Sequence, residues 1–230
     1  INKIAAGEVV ERPASAVKEL VENALDASSD QILITIKNGG KDLISVLDNG
    51  NGMSSEDAQL AIERHATSKI ATTEDLDRIK TMGFRGEALA AIAAVSRFEM
   101  TTCQSEAEGG FQVRVEGGNR VHSARVGFPK GTRMVVENLF FNTPGRQKFM
   151  KSTNTEYNHI HDLIIRLALG HPHIQFKLIH NNNVVLNLPK GQTFVDRIKR
   201  CFGSEIAANL IPCQHEESYL SYEGLISHPS

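Results

Sequence analysis

The sequence predicts an α/β fold with largely antiparallel strands, and three patterns carry that prediction. A helical stretch from Pro13 to Asp26 carries two separate stripes, an alternating strand pair follows it directly, and glycine-punctuated strands fill the middle of the chain. Pro13 suits the first helical position, where its missing N–H costs nothing. Behind it Val17, Leu20, Val21, Ala24 and Leu25 recur at the spacing that turns one helical face toward a core. Glu19, Glu22, Asn23 and Asp26 recur on a second stripe that holds carboxylates and one amide but no lysine or arginine. That stripe offers oxygen ligands, hydrogen-bond acceptors and a base, chemistry suited to a hydrated cation. A solvated helix face has the same composition, so the helix alone leaves both readings open.

The remaining elements follow in order. Ile4–Val10 reads as a short helical turn, and Asp26–Asp30 ends the main helix. Ile32, Ile34 and Ile36 alternate with Leu33 and Thr35, Asn38-Gly39-Gly40 supplies a turn, and Leu43–Leu47 is a second apolar run, together a hairpin. The second strand runs into Asp48-Asn49-Gly50-Asn51-Gly52, and Ser54 with Asp57 caps a helix reaching about Arg64. His65–Met82 is rich in Thr, Ser and Lys and reads as a loop or lid. Gly83-Phe84-Arg85-Gly86 then opens an alanine-rich helix over Glu87–Val95. Strands are expected around Phe98–Cys103, Phe111–Glu116, Val121–Val126 and Arg133–Asn138, separated by turns such as Gly109-Gly110 and Gly117-Gly118. Glu156–Leu169 is an amphipathic helix, and strands near Phe176 and Val185 flank Asn181-Asn182-Asn183. Pro189-Lys190-Gly191 is the expected domain boundary, with a helix over Phe194–Phe202 and strand over Tyr219–Ile226 beyond it.

Composition narrows the class of protein. A chain of 230 residues with 40% hydrophobic content can build one large domain or two small ones. A net charge of -2 gives no uniform basic field for nucleic acid. Cys103, Cys201 and Cys213 are scattered and odd in number, which fits a reducing compartment and neither a disulfide framework nor a zinc site. No apolar run approaches a membrane span. The chain opens at Ile1 without methionine, so a preceding segment is expected.

Asp48 at a strand end, followed by two glycines, can accept a hydrogen bond from an exocyclic amine while a flat ring approaches the backbone, although an ordinary turn uses the same residues. Gly83-Phe84-Arg85-Gly86 at a helix start can cradle a phosphate. Gly131-Thr132 leads a strand where the hydroxyl can touch a ligand or satisfy the backbone. No G-x-x-x-x-G-K-[ST] run is present, which excludes a P-loop. His159 with His161, and His171 with His173, lack completing ligands and are assigned no function.

The order Glu19-x-x-x-Asn23-x-x-Asp26-Ala27, Asp48-x-Gly50-x-Gly52, Gly83-x-x-Gly86 and Gly131-Thr132 resembles the four nucleotide-binding motifs of the GHKL superfamily of ATP-binding proteins. Ile4-Ala5-Ala6-Gly7-Glu8-Val9-Val10-Glu11-Arg12-Pro13-Ala14, Arg64–Ile70, Gly83–Leu89 and Asn142-Thr143-Pro144 resemble the signature segments of the MutL mismatch-repair family, with the bacterial type closest. The resemblance runs across nearly the whole chain and departs at Gly145 and Gln147, where that family usually has alanine and arginine.

The resemblance implies a two-layer sandwich of helices on a mixed, mostly antiparallel sheet. Residues 1–190 would be the ATP-binding domain and 191–230 the beginning of a second, transducer-like one. It implies ATP and Mg2+ as ligands. Glu19 would be the general base that activates water, Asn23 would hold magnesium, and Asp26 would brace the pocket. Asp48 would read adenine, Gly50 and Gly52 would give the base room, and Thr132 would support the same pocket. Thr67, Ser68, Lys69, Gly83, Phe84, Arg85 and Gly86 would form a lid and contact phosphates. The implied activity is slow ATP hydrolysis coupled to dimerisation, to a mismatch-recognition protein and to weak, non-specific DNA contact, without a membrane. Arg146, Lys148 and Lys151, with Arg197, Lys199 and Arg200, are the basic candidates for DNA phosphates. The implied location is the bacterial cytoplasm, associated with the nucleoid, or the nucleus in a eukaryote. The chain is also expected to lack an opening segment exchanged on dimerisation and a later phosphate-contacting lysine, which would leave it a weak ATPase. Two alternatives stand beside this reading: a histidine kinase catalytic domain, and a module that binds ATP without hydrolysing it.

Overall fold

The computed structural model describes residues 10–63, 87–104 and 109–227, and its first element is the expected helix, α1, over Pro13–Asp26. Pro13 sits at its start after an extended Arg12, as its fixed φ requires. A strand pair follows, β1 over Gln31–Lys37 and β2 over Leu43–Asp48, joined through a short 3-10 turn at Asn38–Gly40. Helix α2 covers Ser55–Leu60, with the Ser54 hydroxyl accepting from the Asp57 N–H, and helix α3 covers Ala88–Ala94. Four strands come next: β3 Arg97–Cys103, β4 Gly110–Glu116, β5 Asn119–Val126 and β6 Gly131–Glu137. Helices α4 Pro144–Phe149 and α5 Thr153–Gly170 precede β7 Gln175–His180 and β8 Asn183–Leu188. The chain then passes through α6 Phe194–Phe202, α7 Ser204–Ala208, β9 Leu210–Glu217 and β10 Leu220–Ser227.

Strands β1 to β8 form one sheet in the order β5-β4-β3-β6-β2-β1-β7-β8, while β9 and β10, among the described residues, pair with each other alone. All its pairings are antiparallel except β1 with β7, so the sheet is mixed and mostly antiparallel, as expected. Alternation sorts its faces. Ile32, Ile34, Ile36, Ile44, Val46, Phe98, Met100, Met134, Val136, Phe176 and Leu178 are buried in the core that α1, α3 and α5 complete with Leu20, Ile92 and Ile160. Glu99, Arg114 and Arg133 belong to the other face, where Glu99 pairs with Arg114 at 2.6 Å and with Arg133 at 3.0 Å.

The differences from expectation have local causes. α2 ends at Leu60, short of the expected Arg64, which lies outside the described residues. α5 starts before Glu156 because the Ser152 hydroxyl accepts from the Thr155 N–H and caps a further turn. β9 and α7 escape sequence reading because most of their residues stay exposed and carry no alternating or helical apolar pattern. α4 is a short, basic helix without a buried residue. The expected turn over Ile4–Val10 lies outside the described residues except for Val10, as does the expected lid over His65–Met82. No helix among the described residues is long and apolar enough to cross a membrane.

Candidate functional site

Strand register builds the site. Asp48 pairs with Thr132 across β2 and β6, and Thr132 pairs with Thr102 across β6 and β3, so the three fall in one row. All three side chains are buried, with Asp48 only 7% exposed. The Thr102 and Thr132 hydroxyls lie 3.0 Å apart, and the Thr102 hydroxyl also donates to the Gly131 carbonyl and accepts from the Met53 N–H at 2.9 Å. A hydroxyl chain therefore runs from the loop after β2 to the start of β6.

Asp48 enters this row as a carboxylate without a cation on it among the described residues. Its Oδ1 accepts from the Gly50 N–H at 2.8 Å and from the Ser29 hydroxyl at 3.2 Å. Burial pushes its pKa up, against the Gly50 N–H, the Ser29 hydroxyl and the Thr132 backbone, which favour the ionised form. A buried acceptor held by neutral donors is suited to reading a neutral donor on a ligand.

The chain after α1 is fastened to this strand end. The Asn51 N–H donates to the Ala27 carbonyl at 2.8 Å, and the Ser29 hydroxyl reaches both Asp48 and the Ala24 carbonyl. Asn49 accepts at Oδ1 from the Asp30 and Gln31 N–H groups and donates to Asp30 Oδ1 at 2.7 Å. These bonds bring the end of α1, and with it Asn23 and Asp26, up to the Asp48 loop.

The acidic stripe is not a solvated face. Between Pro13 and Ala27 only Lys18 is exposed, and Glu19, Asn23 and Asp26 are half-buried. One expectation is corrected here, that the stripe holds no lysine and that Glu22 belongs to it as an available acid. Glu22 is buried, and the Lys18 ammonium lies 2.7 Å from its carboxylate and 3.7 Å from that of Glu19. Burial pulls the Lys18 pKa down, but Glu22 and Glu19 outweigh it and hold the group above the ordinary lysine value. The remaining donors are hard oxygens, which fit magnesium rather than a soft metal. Among the described residues no three His, Cys, Asp or Glu side chains converge on a metal position. A cation beside Asn23 would thus complete its shell from substrate and water.

The glycines have a reason that spacing did not reveal. A Cβ on Gly52, at φ 65°, would stand 2.0 Å from the Cys103 carbonyl oxygen, and one on Gly131 would stand 2.2 Å from the Asp48 carbonyl oxygen. The chain's own backbone fills that space, so at Gly52 and Gly131 glycine is required by strand packing before any ligand arrives.

The structure thus gathers Asp48, Gly50, Gly52 and Thr132 at one end of the sheet, with the end of α1 tied to it through the Ala24 and Ala27 carbonyls; Glu19, Asn23 and Asp26 lie on that helix. Thr67, Ser68, Lys69, Gly83, Phe84, Arg85 and Gly86 lie outside the described residues. Ser29 and Thr102 are additions that no motif marked, because their roles depend on register and not on spacing. Arg197 is a correction: it is fully buried, gives three hydrogen bonds to the Pro172, Ile174 and Pro189 carbonyls, and is unavailable to DNA.

Comparison with known proteins places these features in a family. Residues 11–131 match the model of the histidine kinase-, DNA gyrase B- and HSP90-like ATPases. The DNA mismatch repair protein MutL of Halothermothrix orenii is 47% identical over 99% of this chain, and that of Opitutus terrae is 49% identical over the same share. The chain spans 35% and 36% of those two proteins. Among solved structures, the Aquifex aeolicus MutL ATPase domain complexed with ADP superposes with a TM-score of 0.74 at 31% identity, covering 96% of this chain and 79% of that one. The N-terminal domain of a DNA repair protein superposes with a TM-score of 0.81 at 28% identity, covering 98% and 72%.

Proposed function

Because this chain belongs to the histidine kinase-, DNA gyrase B- and HSP90-like ATPases, and among them to the MutL family, we propose that the α1–β2 site binds ATP with magnesium and hydrolyses it slowly. The observation that carries this reading is Asp48, a buried carboxylate at the end of β2 that, among the described residues, is held by neutral donors. Its free acceptor capacity takes the exocyclic amine of adenine, and Thr132, through its hydroxyl, supports the same wall of the pocket. Gly50 and Gly52 let the loop close against Ala27 and Cys103, which leaves the base room beside it. Asn23 supplies an amide oxygen to magnesium, and Asp26 braces the end of the helix. Magnesium held there by Asn23 would neutralise phosphate charge.

Glu19 orients the attacking water and takes its proton, a step that needs a carboxylate near the phosphate and partly shielded from solvent. At 26% side-chain exposure Glu19 meets the second condition. Thr67, Ser68, Lys69 and Gly83–Gly86 contact phosphates, an assignment that rests on sequence alone. Residues 1–190 form the ATP-binding domain, and 191–230 begin a transducer-like domain. In the longer protein nucleotide state drives dimerisation and contacts with a mismatch-recognition protein and, weakly, with DNA, for which Arg146, Lys148 and Lys151 remain the basic candidates.

Titration of the chain with ATP, with and without magnesium, tests the proposal. ATP should bind, magnesium should tighten it, and Asn23→Ala should abolish the tightening. Binding that ignores magnesium would overturn the role of Asn23, and protein-bound phosphate from labelled ATP would favour the kinase alternative.

A further inference from the structure

A chain of polar contacts leaves the Asp48 loop through Asn49. Asn49, the residue after Asp48, turns both ends of its amide to one short segment: Oδ1 takes the N–H groups of Asp30 at 3.1 Å and Gln31 at 3.0 Å, and Nδ2 donates to Asp30 Oδ1 at 2.7 Å. The second oxygen of Asp30 takes the Lys190 ammonium at 2.7 Å, from 160 residues further along the chain. The Lys190 and Asn49 contacts hold the Asp30 carboxyl below its ordinary pKa.

Lys190 is not on a free-standing loop. It lies between β8 and α6, and the carbonyl of Pro189, the preceding residue, accepts from Arg197 on α6 at 3.1 Å. Arg197 also holds the Pro172 and Ile174 carbonyls, so α6, Pro189 and Lys190 are tied as one group. A path of contacts therefore runs from α6 through Pro189 and Lys190 to Asp30 and on to Asn49, the neighbour of Asp48. Between exposed groups such a Lys–Asp pair contributes little to stability. What it sets is position, because Asp30 divides its two oxygens between Lys190 and Asn49.

We propose that Asp30 and Asn49 are positioning residues for the adenine-reading carboxylate of Asp48, and that Lys190 makes their placement depend on where α6 stands. The inference rests on the nucleotide reading given above. Coupling of this kind is reciprocal: whatever factor the Lys190 contact contributes to base recognition, the bound base returns to the contact.

The test is the dissociation constants of ADP and IDP for the parent, Lys190→Met, Lys190→Arg, Asp30→Asn and the double variant Lys190→Met/Asp30→Asn. IDP carries an oxygen in place of the exocyclic amine, so the ADP-to-IDP ratio reports the aim of Asp48 and is indifferent to general stability. Lys190→Met should weaken ADP about two- to fivefold, the scale of an exposed ion pair, and raise the ADP-to-IDP ratio of dissociation constants. Lys190→Arg should restore both, and the double variant should be no weaker than the worse single one. An unchanged ratio, equal losses for ADP and IDP, or additive losses in the double variant would overturn the relay. A parent that does not prefer ADP to IDP would instead overturn the nucleotide reading itself.

Discussion

Replacing Asp48 by asparagine changes one atom and should separate binding from stability. In the folded protein Oδ1 of Asp48 already accepts from the Gly50 N–H and the Ser29 hydroxyl. An amide keeps those two bonds only with its oxygen in the Oδ1 place, which turns its NH2 toward the position of the other oxygen. There it would meet an adenine amine donor to donor. A polar group left unpaired in a buried site costs about 1–3 kcal/mol, which is roughly a 5- to 150-fold weaker dissociation constant. Calorimetric titration with ADP reads this directly. The stability effect runs the other way with pH. Burial raises the Asp48 pKa above 3.8 in the folded state, so the stability it contributes is full below that value and is lost as pH rises through the folded pKa. The asparagine lacks that loss, and its unfolding free energy should gain on the parent as pH rises from about 4 to 7 in urea titrations. Parent-like ADP affinity in a folded Asp48→Asn protein would refute the assignment of Asp48 to adenine, and a stability difference that does not change with pH would refute the burial argument.

Other substitutions test other parts of the site. Glu19→Ala should retain ATP and lose about 10² to 10⁴ in turnover, whereas Asn23→Ala should lose magnesium-dependent binding; single-turnover hydrolysis beside equilibrium binding separates the two. Gly52→Ala would force a Cβ to 2.0 Å from the Cys103 carbonyl oxygen at a positive φ, so its urea midpoint should fall by more than about 1 kcal/mol equivalent, and an unchanged midpoint would show that β3 can yield there. Arg197→Met fills a similar volume but strands three carbonyls, and a loss of at least about 2 kcal/mol in urea denaturation is expected; no loss would mean that those carbonyls find other partners.

Periodicity is local, and whatever depends on it was legible in the residues themselves. The two stripes of α1, the β1–β2 hairpin, the placement of Asp48 at a strand end and the helix over Phe194–Phe202 follow from neighbours a few positions apart. So does the order of the motifs that places the chain among its relatives. Tertiary structure decided the rest. That Asp48, Thr132 and Thr102 share one row is a matter of strand register, set by packing between segments far apart in the chain. That Glu22 is buried under Lys18 while Glu19 stays half-open depends on what covers each side of α1. Arg197 read as one member of a basic run, and only the fold shows that three carbonyls enclose it. Charge and helical spacing say which side chain stands at a position; which backbone groups stand opposite it is settled only when distant elements pack, because buried donors and acceptors must then be paired.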